Sequence, residues 1–313
     1  MDKTDSVVVS PCLPKAETGY IDHFIAQEPV RTWFKIIGEP GSTACPLIVL
    51  HGGPGFSHSY TLPHTELHAT WGIPVIFYDQ LGCGSSTHPN KGPAFWTLDV
   101  FLDQLDAVIT YFGVANRFSL LGHAWGGMLA ATYAARRRPS GLQRLVLTNC
   151  PASMELWAVG TNALLATFPL GTRTAIEKHE SAGTIDAQEY QDAMQRFNET
   201  HLCTLKPWPT ELLQSFTDLL DDSRLYLIMN GPSEFKISGT LKSWSIIDEL
   251  PEIHCQTLVI NGLSDMAQDI AVAPFFHTIP RCKWIQLRSS THMPFYEEPV
   301  RYFNVVGDFL SSS

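Results

Sequence analysis

No stretch of this chain approaches the ~20 consecutive apolar residues that a membrane-spanning helix needs. Positive charge is scarce: 21 Lys and Arg stand against 31 Asp and Glu, a net charge of −10. Without a basic surplus or run, neither nucleic acid nor an anionic membrane surface is an expected partner. The seven cysteines lack C-x-x-C spacing, and their number is odd. That argues against a disulfide framework and for reduced thiols in a cytoplasmic protein, mostly buried as small hydrophobes. The twelve histidines show no metal-ligand pattern, and no G-x-G-x-x-G dinucleotide fingerprint occurs. No cofactor and no metal is therefore expected. The polar start Met1-Asp2-Lys3-Thr4-Asp5-Ser6, followed only by Val7-Val8-Val9, is not a secretory signal.

The chain does have the material for a large core: 313 residues, 44% hydrophobic and only 17% charged. Thr18 to Ala26 and Arg31 to Ile37 read as a hairpin. Short, apolar or mostly apolar runs that read as buried strands follow at Pro46–Leu50, Pro74–Tyr78, Phe118–Leu121 and Leu145–Thr148. Between the second and third of these, Leu98–Phe112 has helical periodicity, with Asp99 and Asp103 early in it. Such alternation predicts an α/β fold, a mostly parallel central sheet with helices on both faces. From about Pro151 to Asn230 strand-like runs vanish and helical ones take over, as at Ala187–His201 and Glu211–Leu220. Strands return at Thr257–Ile260 and Lys283–Leu287. The expected organisation is a core over residues 1–150 and 241–313, interrupted by a helical cap over 151–240. A cap above the sheet's carboxyl edge would shape a substrate pocket.

One segment carries a nucleophile's setting without the nucleophile. Leu121-Gly122-His123-Ala124-Trp125-Gly126-Gly127 follows an apolar strand and precedes a small-residue helix, Met128–Arg138. That is the strand-turn-helix context of the G-x-S-x-G nucleophile elbow, in which glycines permit a strained turn. Its central residue is Ala124, which has no hydroxyl. Two late strands run into Asp265 and His292, so the chain order is nucleophile position, acid, histidine. Serine chemistry needs that set: imidazole takes the hydroxyl proton, and the carboxylate orients the imidazole. Asp269 is a reserve acid, while His254 and His277 are poorer bases because neither follows a strand at the right edge.

His51-Gly52-Gly53-Pro54-Gly55 directly follows a buried strand. The Gly53 N–H and the N–H after the nucleophile position, Trp125, are the expected oxyanion donors. Asp79 and Gln80, at another strand-to-loop junction, are expected to tie loops together rather than to catalyse. Cys83 has no partner histidine to activate it.

These segments together resemble the proline iminopeptidase family of α/β-hydrolases. The matching stretches are HGGPG at 51–55, DQLGCGSS at 79–86, GHAWGG at 122–127 against the family's G-x-S-W-G-G, MNGPSEF at 229–235 and SSTHMPFYEEP at 289–299. The resemblance runs from about Gly19 to the end. It implies an α/β-hydrolase fold with a helical cap and a metal-free serine hydrolase acting on small amides, esters or peptide N-termini. Ala124 then occupies the nucleophile position, Asp265 is the acid and His292 the base. Family members hold the substrate ammonium with carboxylates, one matched by Glu234. The position after the acid is Met266, which offers no charge and is expected to line an apolar pocket. The loss of one charge-assisted contact, worth ~1.5–3 kcal/mol, favours a neutral or bulkier substrate. For Glu234 the bland alternative is a loop residue satisfied by backbone N–H groups. Of the cap's large apolar residues (Leu156, Trp157, Phe168, Phe197, Trp208, Phe216), a few are expected to face substrate and most to pack as core.

Three functional readings follow. The first is a serine hydrolase present as an inactive Ser-to-Ala form. The second is a naturally non-hydrolytic protein that holds a small molecule in the same pocket. The third is an acyltransferase or cyclase that passes its acyl group to a nucleophile other than water. The expected partner is a small-molecule or short-peptide substrate, and the sequence leaves oligomeric state open.

Overall fold

A computed structural model describes residues 16–312. The amino-terminal runs Met1–Ser6 and Val7–Val9 lie outside the described residues. The first two strands are β1 (Ala16–Ile25) and β2 (Glu28–Ile37), paired antiparallel. The intervening Ala26 and Gln27 have φ of 47° and 66°. Two consecutive positive φ values are the mark of a type I′ hairpin turn, here made by residues that do not favour it.

The fully apolar runs become β3 (Leu47–Leu50) and β4 (Val75–Tyr78), separated by a 3-10 helix at His58–Thr65 and by α1 (Glu66–Trp71). Every residue of β3 and β4 is buried, as expected of strands covered on both faces. Then come α2 (Leu98–Tyr111), β5 (Phe118–His123), α3 (Trp125–Arg137) and β6 (Leu142–Thr148). Strand β6 begins three residues before the apolar run that marked it. Its polar start is retained because Arg144 donates to the Gln256 side chain at 2.7 Å.

Five helices follow in succession: α4 (Met154–Leu165), α5 (Leu170–Ala182), α6 (Gln188–His201), α7 (Thr210–Asp221) and α8 (Arg224–Met229). Among the described residues of this stretch, the only β pairing is an isolated bridge between Ser153 and Ser245. The chain returns to the sheet with β7 (Gln256–Gly262), α9 (Asp269–Thr278), β8 (Cys282–Leu287), α10 (Pro294–Glu297) and α11 (Pro299–Ser311). The eight strands form one sheet in the order β1-β2-β4-β3-β5-β6-β7-β8. It is parallel from β4 to β8, with β1 and β2 added antiparallel.

Strand order reverses at β3, which lies between β4 and β5. In such sheets the crevice past the carboxyl ends at the reversal is where ligands bind. The loops leaving β3 and β5 are HGGPG and the elbow. Glycine is required where they meet. A Cβ on Gly126 would overlap the carbonyl oxygens of Leu50 and His51, and one on Gly122 would overlap that of Gly126. Helix α3 can start against β3 only if no side chain intervenes.

No helix among the described residues is long and apolar enough to cross a membrane. Six cysteines are described, and all are free.

The elbow packing yields a stability prediction. Gly126→Ala forces backbone apart and is expected to cost about 3 kcal/mol or more, lowering Tm by roughly 6 °C or more in thermal denaturation. Gly92→Ala, whose Cβ meets nothing within 4 Å, is the control and should leave Tm nearly unchanged.

Candidate active site

The loop after β7 carries Asp265 and the loop after β8 carries His292. Parallel pairing of these strands, with Gly262 opposite Leu287, brings both loops to one edge. The His292 Nδ1 lies 2.6 Å from Asp265 Oδ1, and both side chains are buried. A carboxylate at that distance takes the Nδ1–H and leaves Nε2 without a proton. Asp265 is itself held: Oδ1 accepts the Ala267 N–H at 2.9 Å, and Oδ2 accepts from Asn149 Nδ2 at 2.5 Å. Asn149 sits just past β6 with φ of 53° and also donates to the Thr291 carbonyl at 3.2 Å. One amide thus spaces the acid loop from the histidine loop. Thr291 is clamped by Glu297, whose carboxylate accepts from the Thr291 N–H at 2.7 Å.

Ala124 has φ of 51° and ψ of −120°. This is a sparsely populated conformation for a residue with a Cβ, costing ~1–3 kcal/mol. Its carbonyl accepts the Gly127 and Met128 N–H groups, at 2.9 and 3.1 Å, and so starts α3. The Trp125 N–H, in the first turn, has no intrahelical acceptor. Among the described residues, neither it nor the Gly53 N–H is engaged by a protein acceptor. Gly53 has φ of 120°, and a Cβ there would strike the Gly55 N–H. Gly53, Ala124, Trp125 and His292 line a single cavity.

A buried relay joins these pieces. The Gly52 N–H donates to the Tyr60 hydroxyl at 2.6 Å. Tyr60 lies 2.8 Å from His123 Nδ1, and His123 Nε2 lies 2.8 Å from the His292 carbonyl. A carbonyl only accepts, so Nε2 carries the His123 proton and Nδ1 accepts from Tyr60. Burial holds His123 far below the usual imidazole range, followed by the influence of His292. It is therefore a neutral strut linking the HGGPG loop, the elbow and the histidine loop.

Asp79 and Gln80 tie loops together as expected. Asp79 accepts the His58 N–H and the Ser85 N–H, each at 2.9 Å. Gln80 donates to the His51 carbonyl at 2.8 Å and accepts the Trp125 indole N–H at 2.7 Å. Burial pushes the Cys83 thiol well up, away from thiolate formation. Asp269, the reserve acid, is exposed and accepts from Asn261 and Gln286 at 2.9 and 2.7 Å, apart from His292. His254 and His277 are exposed and far from catalytic geometry.

The cavity measures about 450 Å³ and is roofed by the helices between β6 and β7. Glu234 reaches it from the loop after α8, and its Oε1 accepts the Tyr226 hydroxyl proton at 2.5 Å. The partner is a side chain rather than the backbone N–H groups of the bland alternative. Burial raises the Glu234 pKa, while Tyr226 and then His292 pull it back. Met266 also lines the cavity and is buried. Of the six large apolar cap residues, Trp157, Trp208 and Phe216 face the cavity. Phe197 stacks within the cap against Phe168 and Phe235, with centroids at 5.5 and 4.7 Å.

All the site residues read from the sequence therefore gather at this cavity, with Asp265 behind His292. The sequence reading missed Asn149, Tyr60 and a role for His123. Asn149 and Tyr60 lie outside any recognised spacing. His123 was within the elbow segment, and its place at the end of a buried strand was the available signal.

Comparisons with known proteins place the fold and the family. The family model for the alpha/beta hydrolase fold matches residues 46–299. The chain is 35% identical over 293 residues to the proline iminopeptidase of Heyndrickxia coagulans, covering 94% of this chain and 99% of that protein. The crystal structure of proline iminopeptidase from Mycobacterium smegmatis superposes with a TM-score of 0.85 at 38% identity, covering 93% of this chain and 97% of that one. The crystal structure of VinJ superposes with a TM-score of 0.91 at 41% identity, covering 96% and 99%. By fold, site geometry and these relatives, the chain belongs to the proline iminopeptidase-like family of α/β-hydrolases.

Proposed function

We propose that this site hydrolyses amino-acid amides or esters through an acyl-enzyme when residue 124 is serine, and that the present chain is the inactive Ala124 form, competent to bind. The observation that carries the reading is the buried Asp265–His292 pair, whose imidazole lines the same cavity as an elbow residue held at φ 51°, ψ −120°. A fold with no use for a nucleophile gains nothing from that strain. The core is assigned to residues 1–150 and 241–313 and the cap to 151–240.

In the serine form, His292 Nε2 takes the hydroxyl proton as the oxygen attacks the scissile carbonyl. The Gly53 and Trp125 N–H groups receive the oxyanion. As the carbon–nitrogen or carbon–oxygen bond breaks, His292 returns the proton to the leaving amine or alcohol. Water, deprotonated by the same imidazole, then releases the amino acid. Glu234 pairs with the substrate ammonium, and with Met266 in place of a second carboxylate it does so alone. The non-hydrolytic binding reading keeps one observation in its favour, Ala124 itself.

The following outcomes test these statements. Ala124→Ser is expected to raise turnover of alanine and proline arylamides by at least about 10⁴-fold, and a further His292→Ala change should remove that gain. No gain on any amide or ester supports the binding protein instead. In the serine background Tyr60→Phe leaves the Gly52 N–H and His123 Nδ1 without their shared partner. It should lower kcat about tenfold or more with little change in KM.

Glu234→Gln is expected to weaken binding of alanine amide to the present chain by about 10- to 100-fold in calorimetry. Because burial favours the neutral form of Glu234, its charge costs stability above its raised folded pKa, and that cost is relieved as pH falls through it. The Gln variant should thus match or exceed the parent Tm at neutral pH. Affinity for the cationic amide should fall on acidification through that raised pKa. That fall is specific to Glu234 and should be lost in the Gln variant.

A further inference from the structure

The cavity is far larger than an aminoacyl group, and its lining is uneven. At ~30 Å³ for each water-sized atom group, about 450 Å³ holds on the order of fifteen non-hydrogen atoms. In an aminoacyl unit whose ammonium meets Glu234 the scissile carbonyl carbon is two bonds from that nitrogen, so a small unit such as alanyl occupies a minor part. Helix α7 supplies an apolar wall of the remainder, and α6 a more polar one with Gln191, Gln195 and Asn198. Leu213, Phe216, Leu219 and Leu220 of that helix all line the cavity. Their spacing places them along one helical face.

This face is fixed to the catalytic edge. Ser215 Oγ accepts the Tyr60 N–H at 3.1 Å and lies 3.1 Å from Ser57 Oγ. Phe216 packs on Phe56, just after HGGPG, with centroids 4.9 Å apart, and stacks on Trp208 at 5.4 Å. The apolar wall continues outward, for Leu213 and Leu220 are 48% and 78% exposed. No Lys or Arg among the described residues lines the cavity. The terminal carboxylate of a di- or tripeptide would find no cation there, and burying an unpaired carboxylate is costly.

We propose that the leaving group is a bulky, uncharged, apolar amine or alcohol seated against α7, rather than a peptide with a free carboxyl terminus. The inference rests on the hydrolase reading for its chemistry, but the seat itself exists in the present chain.

The test uses a series of alanyl amides: unsubstituted, butyl, octyl, and octyl ending in a carboxylate. Calorimetry on the present Ala124 chain should show affinity rising by about threefold per added methylene and falling at least tenfold on adding the carboxylate. In Ala124→Ser, kcat/KM should follow the same order, with alanyl-alanine cleaved more slowly than the octylamide. Phe216→Gln should shrink the ratio between octyl and unsubstituted amides. Chain-length-dependent binding without turnover in the serine variant would sink the hydrolase reading, and with it the leaving-group role, while the apolar seat against α7 would stand as a ligand site. Turnover or binding indifferent to the tail, or preference for the free carboxylate, would overturn the inference and leave the hydrolase reading intact.

Discussion

Helix α3 starts so close to β3 that Gly126 lies against the carbonyls of Leu50 and His51, and the site is arranged around that contact. It aligns the first turn of α3 beside the loop leaving β3. Two unspent N–H groups, from Gly53 and Trp125, then face one cavity. The same approach accompanies a positive φ at residue 124, which lies on the cavity that His292 also lines. A bulkier junction would separate the donors from the point of attack, where an error of about 1 Å costs about 10²-fold in rate.

Buried hydrogen bonds transmit this alignment to the other loops. Gly52, Tyr60, His123 and the His292 carbonyl form one chain, with each donor matched to an acceptor. The cap joins through its own backbone, since the His292 N–H donates to the His201 carbonyl at 3.2 Å at the end of α6. The His201 ring lies 2.8 Å from the Ser264 carbonyl, beside the acid. Burial keeps His201 below the ordinary imidazole range, consistent with a neutral donor to that carbonyl. Cap and catalytic loops are thus coupled by neutral groups in a low-dielectric interior, where unmade hydrogen bonds are expensive.

The elements most legible in the sequence were those whose residues leave no local choice. Strands β3 and β4 are short and wholly apolar and β5 mostly so, and burial on both faces accommodates that. HGGPG and GHAWGG were legible because glycine marks close backbone approach. The hairpin turn at Ala26-Gln27 was not, because tertiary pairing of β1 with β2 imposed positive φ on residues that do not favour it. The start of β6 was missed because Arg144 looks like loop until Gln256 is beside it. In the site, Asp265 and His292 stood out by chain order, whereas Asn149 and Tyr60 act through contacts between residues more than fifty positions apart, or across a loop without a motif. Which cap aromatics face the cavity depended on helix rotation. Trp157, Trp208 and Phe216 turn inward while Phe168 and Phe197 pack on one another, a distinction invisible in composition.

Two features of this site oppose stability. Ala124 holds a strained backbone, and Glu234 is a carboxylate whose charged form burial disfavours. Folding alone rewards neither of them, since unpaired or strained groups each cost on the order of 1–3 kcal/mol. Under the proposed function a substrate ammonium would compensate the second by pairing with Glu234. The strain at residue 124 is different in kind. It belongs to the backbone, so whatever occupies the cavity leaves that cost in place. Under the proposed function the strain is what presents residue 124 to the cavity that His292 lines, and that is the part it plays in the serine reading.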